Sequence, residues 1–265
     1  MKSKRKSHLS SSRAEANHFG KELSFAASEA YKLLRTNLMF FTSSGNGRVI
    51  GITSSISGEG KSTTTINLAY ALAESGRKVV LVECDMRRPT VARRLRMSPS
   101  PGLSNLIVGL SGASEVLRQS TLHENLHVIP AGDIPPNPSE LLGSERMRVA
   151  VQSLAAEYEF VLFDLPPVTA VSDALVAANL LDGMLVIVRQ DVCTRSALRE
   201  AMRQLQVISD KILGFVFTCS SMDGKGYYRR KSYYKRGYGY KYGYGEYGAT
   251  HKASDGQLTD SDTSL

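Results

Sequence analysis

"RVIGITSSISGEGKSTTTINLAYALAESG", Arg48 to Gly76, is the stretch whose reading decides the fold. Its opening "RVIGITS" is rich in Val and Ile and too continuously apolar for a half-exposed strand, so it reads as a buried parallel one. Its closing part, from Lys61, carries apolar residues at helical spacing. Between them, "SISGEGKS" follows the G-x-x-x-x-G-K-[ST] pattern from Gly60 onward, with Ser55 where the first Gly usually stands. The layout has a chemical reason. Gly58 and Gly60 let the backbone curl so that amide N–H groups face a phosphate chain at the positive end of the following helix. Lys61 then reaches the β and γ phosphates, and Ser62 holds Mg²⁺. The expected nucleotide-binding residues are therefore Ser57, Gly58, Glu59, Gly60, Lys61, Ser62 and Thr63, with ATP and Mg²⁺ as cofactors.

Outward from this stretch the same alternation continues. "KVVLVECD", "LHVIPAG", "EFVLFDLPP", "GMLVIVR" and "ILGFVFT" read as further buried parallel strands. "SERMRVAVQSLAAEY", "DALVAANLL" and "TRSALREAMRQLQVIS" carry helical spacing. The expected fold class is α/β, a doubly wound, mostly parallel sheet of the P-loop NTPase kind. Right-handed crossovers place the strand C-terminal ends along one edge, where such sheets bind ligands.

Three carboxylates fall on that edge. The period of two in "VVLVECD" sets Glu83 and Asp85 on one face, and Arg87 and Arg88 follow at once. Asp164 closes "FVLFD", the position from which P-loop proteins hold a metal-bound water. Lys61, Glu83, Asp85 and Asp164 are the candidate catalytic groups; Ser62, Asp85 and Asp164 are the candidate metal ligands. "HENLH", His123 to His127, matches the H-E-x-x-H zinc signature, but His127 opens a strand, so the two histidines do not share a helical face.

Charge divides the chain. The formal net charge is +8, yet residues 1 to 13 carry five basic groups and no acid, and residues 223 to 247 carry seven basic and two acidic. Residues 14 to 222 are neutral overall, so the basic balance belongs to the ends and not to a fold that grips nucleic acid. The expected division is a basic flexible N-terminus at 1–23, a P-loop domain at 24–222 and a solvated tail at 223–265. Nine of the twelve tyrosines lie in that tail, at Tyr227, Tyr228, Tyr233, Tyr234, Tyr238, Tyr240, Tyr242, Tyr244 and Tyr247. With few aliphatic side chains to bury, it cannot offset its ordering entropy. It reads as a row of phosphate acceptors, a strip on which bases stack, or a linker. Cys84, Cys193 and Cys219 form no CxxC pair and read as free thiols of a reducing cytoplasm. No apolar run of about 18 residues marks a membrane span.

"SGEGKSTTTINLA", "VECDMRRP" and "FVLFDLPPV" resemble the Walker A, A′ and B motifs of the bacterial tyrosine kinases that control capsular and exopolysaccharide assembly. "AGDIPPNPSELLGSERM" and "SEAYKLLRTNL" resemble that family too, and so does the Tyr-rich tail. The resemblance implies transfer of the γ-phosphoryl of ATP to the tail tyrosines of a neighbouring subunit in a ring-like homo-oligomer. It also implies a separate transmembrane activator of the polysaccharide co-polymerase type, a tyrosine phosphatase, substrates among other polysaccharide-pathway proteins, and a place at the inner face of the cell membrane held through the partner. Asp85, with Glu83, is the expected proton acceptor. Three positions depart from the family pattern. Glu83 stands where the A′ motif usually begins with Asp; Glu29, Lys32 and Arg35 stand for E-x-x-R-x-x-R, the subunit-contact motif; and Thr218 stands where relatives show Asn near the adenine.

Two other readings share these motifs. A positional ATPase of the plasmid-partition or division-site type carries a signature lysine five residues before the P-loop lysine, and Ile56 occupies that place. An ATPase with a nucleic-acid-binding tail would want a basic core beside the tail, and the core is neutral.

Overall fold

The computed structural model describes residues 19–41 and 47–219; residues 1–18 of the basic N-terminus and the tyrosine cluster 227–247 lie outside the described residues. The strands are β1 (Arg48–Ser54), β2 (Val79–Glu83), β3 (Arg118–Gln119), β4 (Leu126–Ile129), β5 (Phe160–Asp164), β6 (Gly183–Arg189) and β7 (Ile212–Thr218). The helices are α1 (Phe25–Phe41), α2 (Lys61–Glu74), α3 (Val91–Arg94), α4 (Leu103–Val108), α5 (Ala113–Val116), α6 (Pro138–Leu142), α7 (Glu145–Glu157), α8 (Asp173–Ala177) and α9 (Arg195–Leu205). The strands form one sheet in the order β3-β4-β2-β5-β1-β6-β7, parallel throughout except where β3 runs against β4. β1 lies inside the sheet with β5 on one side and β6 on the other, so the strand order reverses beside it. That reversal is where an open α/β sheet leaves a crevice for a ligand.

The core explains why the strands read as continuous apolar runs. Val79 and Leu81 face α2, and Val80 and Val82 face the opposite layer, yet all four are sealed from solvent. One layer packs Ile66, Leu68 and Leu72 of α2 with Leu38 of α1 against Ile50, Ile52 and Leu162. The other packs Met147 and Val151 of α7, with Ala201 and Leu205 of α9, against Val161, Phe163 and Val186. With both faces covered, no strand position in the centre of the sheet faces water, which removes the polar alternation of a one-sided sheet.

Three features differ from the sequence expectation. β7 was expected buried but is an edge strand, and Phe217 is 65% exposed on it, because nothing pairs beyond it among the described residues. β3, two residues long, carries no periodic signal and pairs only through its neighbour β4. The packed chain begins ahead of residue 24: Phe19 is buried, and Gly20 donates its N–H to Asn67 Oδ1 at 3.1 Å. Gly20 sits against Tyr70, where a Cβ would fall 2.9 Å from the ring, so glycine is needed for that approach.

Candidate active site

The turn from β1 into α2 forms the P-loop. Gly58 and Gly60 have φ of 87° and 94°, the left-handed region that glycine enters without strain. A Cβ on Gly58 would meet nothing within 4 Å, so backbone conformation and not space requires glycine there. Glu59 points inward. Fully buried, it accepts from Ile56 N at 2.8 Å and from Arg189 N at 3.4 Å. Thr218 Oγ1 donates to Glu59 O at 2.8 Å, and the Arg189 guanidinium donates to Gly58 O at 3.3 Å. The outer arm of the loop is thus fastened to the ends of β6 and β7, and the Thr218 hydroxyl is engaged with loop backbone.

Lys61, the first residue of α2, stands between two acids. Its Nζ lies 2.8 Å from Asp85 Oδ2 and 3.6 Å from Asp164 Oδ1. Burial works against its charge, but Asp164 and Asp85 more than offset this and lift its pKa. Ser62 Oγ sits 3.5 Å from the same Nζ and accepts from Thr90 Oγ1 at 3.2 Å. Asp164, at the end of β5, is fully buried, and burial raises its carboxyl while Lys61 pulls the other way. Thr65 Oγ1 lies 3.5 Å from its Oδ1, and its Oδ2 is sealed with no hydrogen-bond partner. A buried carboxylate oxygen left open is costly, and together with the Ser62 hydroxyl and Asp85 it makes the hard oxygen set that suits Mg²⁺. The residues fit the implied cofactors: loop amides and Lys61 for the phosphates, Ser62, Asp85 and Asp164 for the metal.

The two acids of the A′ stretch have different surroundings. Asp85 directs Oδ2 at Lys61 and takes the Arg88 N–H on Oδ1 at 3.1 Å. Glu83, paired in register with Asp164, accepts from the backbone N–H of Thr90, of Val91 at 2.6 Å and of Ala131 at 3.4 Å. Burial raises its carboxyl, while the Val91 N–H acts against the rise. Arg87 is forked onto the buried Asp173, at 3.0 and 3.1 Å, and also donates to Ser139. Arg88 is exposed.

The structure brings together Lys61, Ser62, Asp85 and Asp164, with Glu83 behind them. Glu29, Lys32 and Arg35 lie apart on α1, where Lys32 pairs with Glu29 at 2.9 Å and Arg35 donates to Ala71 O at 2.8 Å. The tail tyrosines lie outside the described residues. His123 accepts from Asn125 N in a turn, and His127 on β4 stands edge-on to Tyr158, so "HENLH" is not a helical pair. Sequence reasoning passed over Thr90, Arg94, Asp173 and Arg189. Arg94 donates to Thr63 Oγ1 at 3.2 Å, and each of the others meets the site through a contact remote in the chain. Asp173 begins a helical run, so its local signal was that of an ordinary first-turn acid.

A left-handed glycine turn, a lysine heading the next helix and a buried aspartate on the adjacent strand define a P-loop nucleotide-binding domain. Residues 47–213 match the AAA domain family. The tyrosine-protein kinase YwqD of Bacillus subtilis (strain 168) is 34% identical over 207 residues, which cover 77% of this chain and 87% of that protein. The kinase domain of the Escherichia coli tyrosine kinase ETK superposes with a TM-score of 0.68 at 29% identity, over 82% of this chain and 80% of that one. The chain belongs to the bacterial tyrosine-protein kinases. The septum site-determining protein MinD of Pyrococcus horikoshii OT3, complexed with Mg-ADP, shares the fold at a TM-score of 0.54 and 25% identity, over 64% of this chain and 70% of that one.

Proposed function

We propose that this protein transfers the γ-phosphoryl group of ATP to tyrosine hydroxyls, chiefly those of the cluster 227–247 on a neighbouring copy, and so regulates synthesis and export of a capsular or extracellular polysaccharide. The observation that carries the reading is the convergence of Lys61 on Asp85 at 2.8 Å and on Asp164 at 3.6 Å, at the mouth of a glycine turn. Mg²⁺, when bound, supplies charge neutralisation on the phosphate oxygens. Of the three candidate ligands, Ser62 and Asp164 would hold it, leaving Asp85 for the proton, and the loop amides would orient the phosphates. Lys61 moves from Asp85 onto the phosphate oxygens, which frees Asp85 Oδ2. A tyrosine hydroxyl ordinarily has a pKa near 10, so its proton needs an acceptor at neutral pH. Asp85 takes that proton as the tyrosine oxygen bonds to the γ-phosphorus and the bond from phosphorus to the β–γ bridging oxygen breaks, releasing ADP.

The surrounding machinery follows the same reading. The exposed Phe25, Leu33 and Phe40 of α1, beside Glu29 and Lys32, offer a surface for the next subunit of a ring. No helix of the described residues is long and apolar enough to cross a membrane. In this reading a separate transmembrane activator holds the kinase at the inner face. A tyrosine phosphatase resets the tail. Other polysaccharide-pathway proteins serve as further substrates.

The test is incubation of pure protein with γ-labelled ATP, with Lys61→Met as control. Alkali-stable label on tyrosine, lost in the variant, is expected; retained phosphotyrosine in the variant would refute the assignment. The likeness to MinD favours a second reading, a positional ATPase, against which Ile56 in place of its signature lysine speaks. Hydrolysis of ATP with no covalent label would select that reading.

A further inference from the structure

We propose that Glu83 is a positioning residue, clamping the A′ loop over the first turn of α2 so that Ser62 is held in place for the metal, and that it does not accept the tyrosine proton. This rests on the assignment of Ser62 to Mg²⁺ in the kinase reading. Both carboxylate oxygens of Glu83 face the chain itself. Oε1 accepts from the N–H groups of Thr90 and Val91, the latter at 2.6 Å, at the start of α3. Oε2 accepts from Ala131 N at 3.4 Å, in the loop after β4. The side chain is fully buried and its Oε1 is taken by two N–H groups, so the carboxylate is not presented to an incoming hydroxyl.

What Glu83 holds then reaches the site. Thr90, whose N–H it binds, donates its hydroxyl to Ser62 Oγ at 3.2 Å. Arg94, in the last turn of α3, donates to Thr63 Oγ1 at 3.2 Å. The short helix α3 therefore touches consecutive residues of the first turn of α2 from its two ends, with Glu83 fixing its near end. The methylene that Glu has over Asp matters here. An Asp carboxylate would retract by about one C–C bond, ~1.5 Å, and lose the N–H groups of Thr90 and Val91. Asp85 remains the acid paired with Lys61, and its Oδ2 becomes free when Lys61 turns to the phosphates.

The experiment uses the full chain and three variants, Glu83→Gln, Glu83→Asp and Thr90→Val. Two readouts are taken: equilibrium binding of a fluorescent ADP analogue as Mg²⁺ is titrated, and the rate of phosphotyrosine formation at saturating Mg²⁺. Each variant is expected to raise the Mg²⁺ concentration for half-maximal nucleotide binding roughly tenfold, as loss of a residue that orients a metal ligand does. At saturating Mg²⁺, kcat should stay within about threefold, whereas loss of a general base costs about 10²–10⁴. Glu83→Gln combined with Thr90→Val should be no worse than the poorer single variant, because both act through one link. A kcat loss beyond about a hundredfold in Glu83→Gln with an unchanged Mg²⁺ midpoint would overturn the proposal. So would a wild-type midpoint in Glu83→Asp, which keeps the charge but not the reach. Should Glu83→Gln not fold, Thr90→Val decides alone, and an unshifted midpoint there refutes the clamp. Failure of wild-type protein to form phosphotyrosine would sink the kinase reading while leaving the binding measurement decisive.

Discussion

Lys61 is shared between two carboxylates, and that sharing sets opposite expectations for its neighbours. As a motif residue it reads as a charge at a solvent edge, removable at little cost to the fold. In the structure its side chain is only 12% exposed and is the ammonium beside both Asp85 and Asp164. Lys61→Met should therefore lower stability by about 2–4 kcal/mol as well as stop phosphoryl transfer, since two buried acids lose their counter-charge. Asp164→Asn should do the reverse. It removes a buried charge with an unpartnered Oδ2 and leaves Lys61 and Asp85 as a one-to-one pair. Without nucleotide, its melting temperature should rise by several degrees, about 1–2 kcal/mol, while transfer falls about a hundredfold or more. Calorimetry of the nucleotide-free proteins checks both signs, and a lower melting temperature for Asp164→Asn would contradict the account.

At the scale of elements, the strands were legible because burial on both faces leaves a composition signal that needs no knowledge of partners. β1 and β6 have the bounds that their apolar runs suggested. β7 has the expected bounds too, but its place at the sheet edge depends on strand order, which no local pattern encodes. β4 carries a pH-dependent contribution. His127 stands with its ring edge-on to Tyr158, at 5.6 Å between centroids. Burial, with a smaller push from Lys78, lowers its pKa below the ordinary 6.5. The unfolded chain therefore takes up the proton first, so stability is highest above about pH 6.5 and declines as pH falls through that value toward the folded pKa. His127→Phe keeps the ring contact without the titration. Its urea midpoint should drop less than that of wild type between pH 7.5 and 5.5; parallel drops would show that His127 contributes nothing to the acid limb.

Across the whole molecule, the proposed self-association turns on the charge difference between a neutral core and a basic tail. Residues 223–247 carry seven basic and two acidic groups, and each phosphotyrosine adds about −1.5 to −2 charge, so about three phosphates neutralise the segment. Deleting residues 225–248 should remove nearly all self-labelling yet leave nucleotide affinity unchanged, as measured by labelled-ATP transfer beside equilibrium binding. An undiminished label would assign the acceptor to Tyr31, Tyr70 or Tyr158. If the proposed oligomer is joined by basic tails, phosphorylation of the intact chain should dissolve it, because the tail's charge changes from net positive to net negative. Light scattering at about 0.05 and 0.5 M salt, where screening differs severalfold, reads the change. Equal mass of the modified and unmodified forms at low salt would refute the electrostatic switch.

The amino-acid sequence by itself determined the sheet class, the P-loop and the positions of Lys61, Ser62, Asp85 and Asp164. Apolar continuity, glycine placement and a motif spanning a few residues are all local properties of the chain. Only the tertiary structure decided what the other polar groups do. The bonds from Ala131 to Glu83, from Arg87 to Asp173 and from Thr218 to Glu59 join residues 48, 86 and 159 positions apart. Contacts of that range arise from strand order and side-chain direction. For that reason Glu83, which the sequence offers as a second acid beside Asp85, takes up backbone N–H groups from two loops, and Thr218 fastens the phosphate loop at the end of an edge strand.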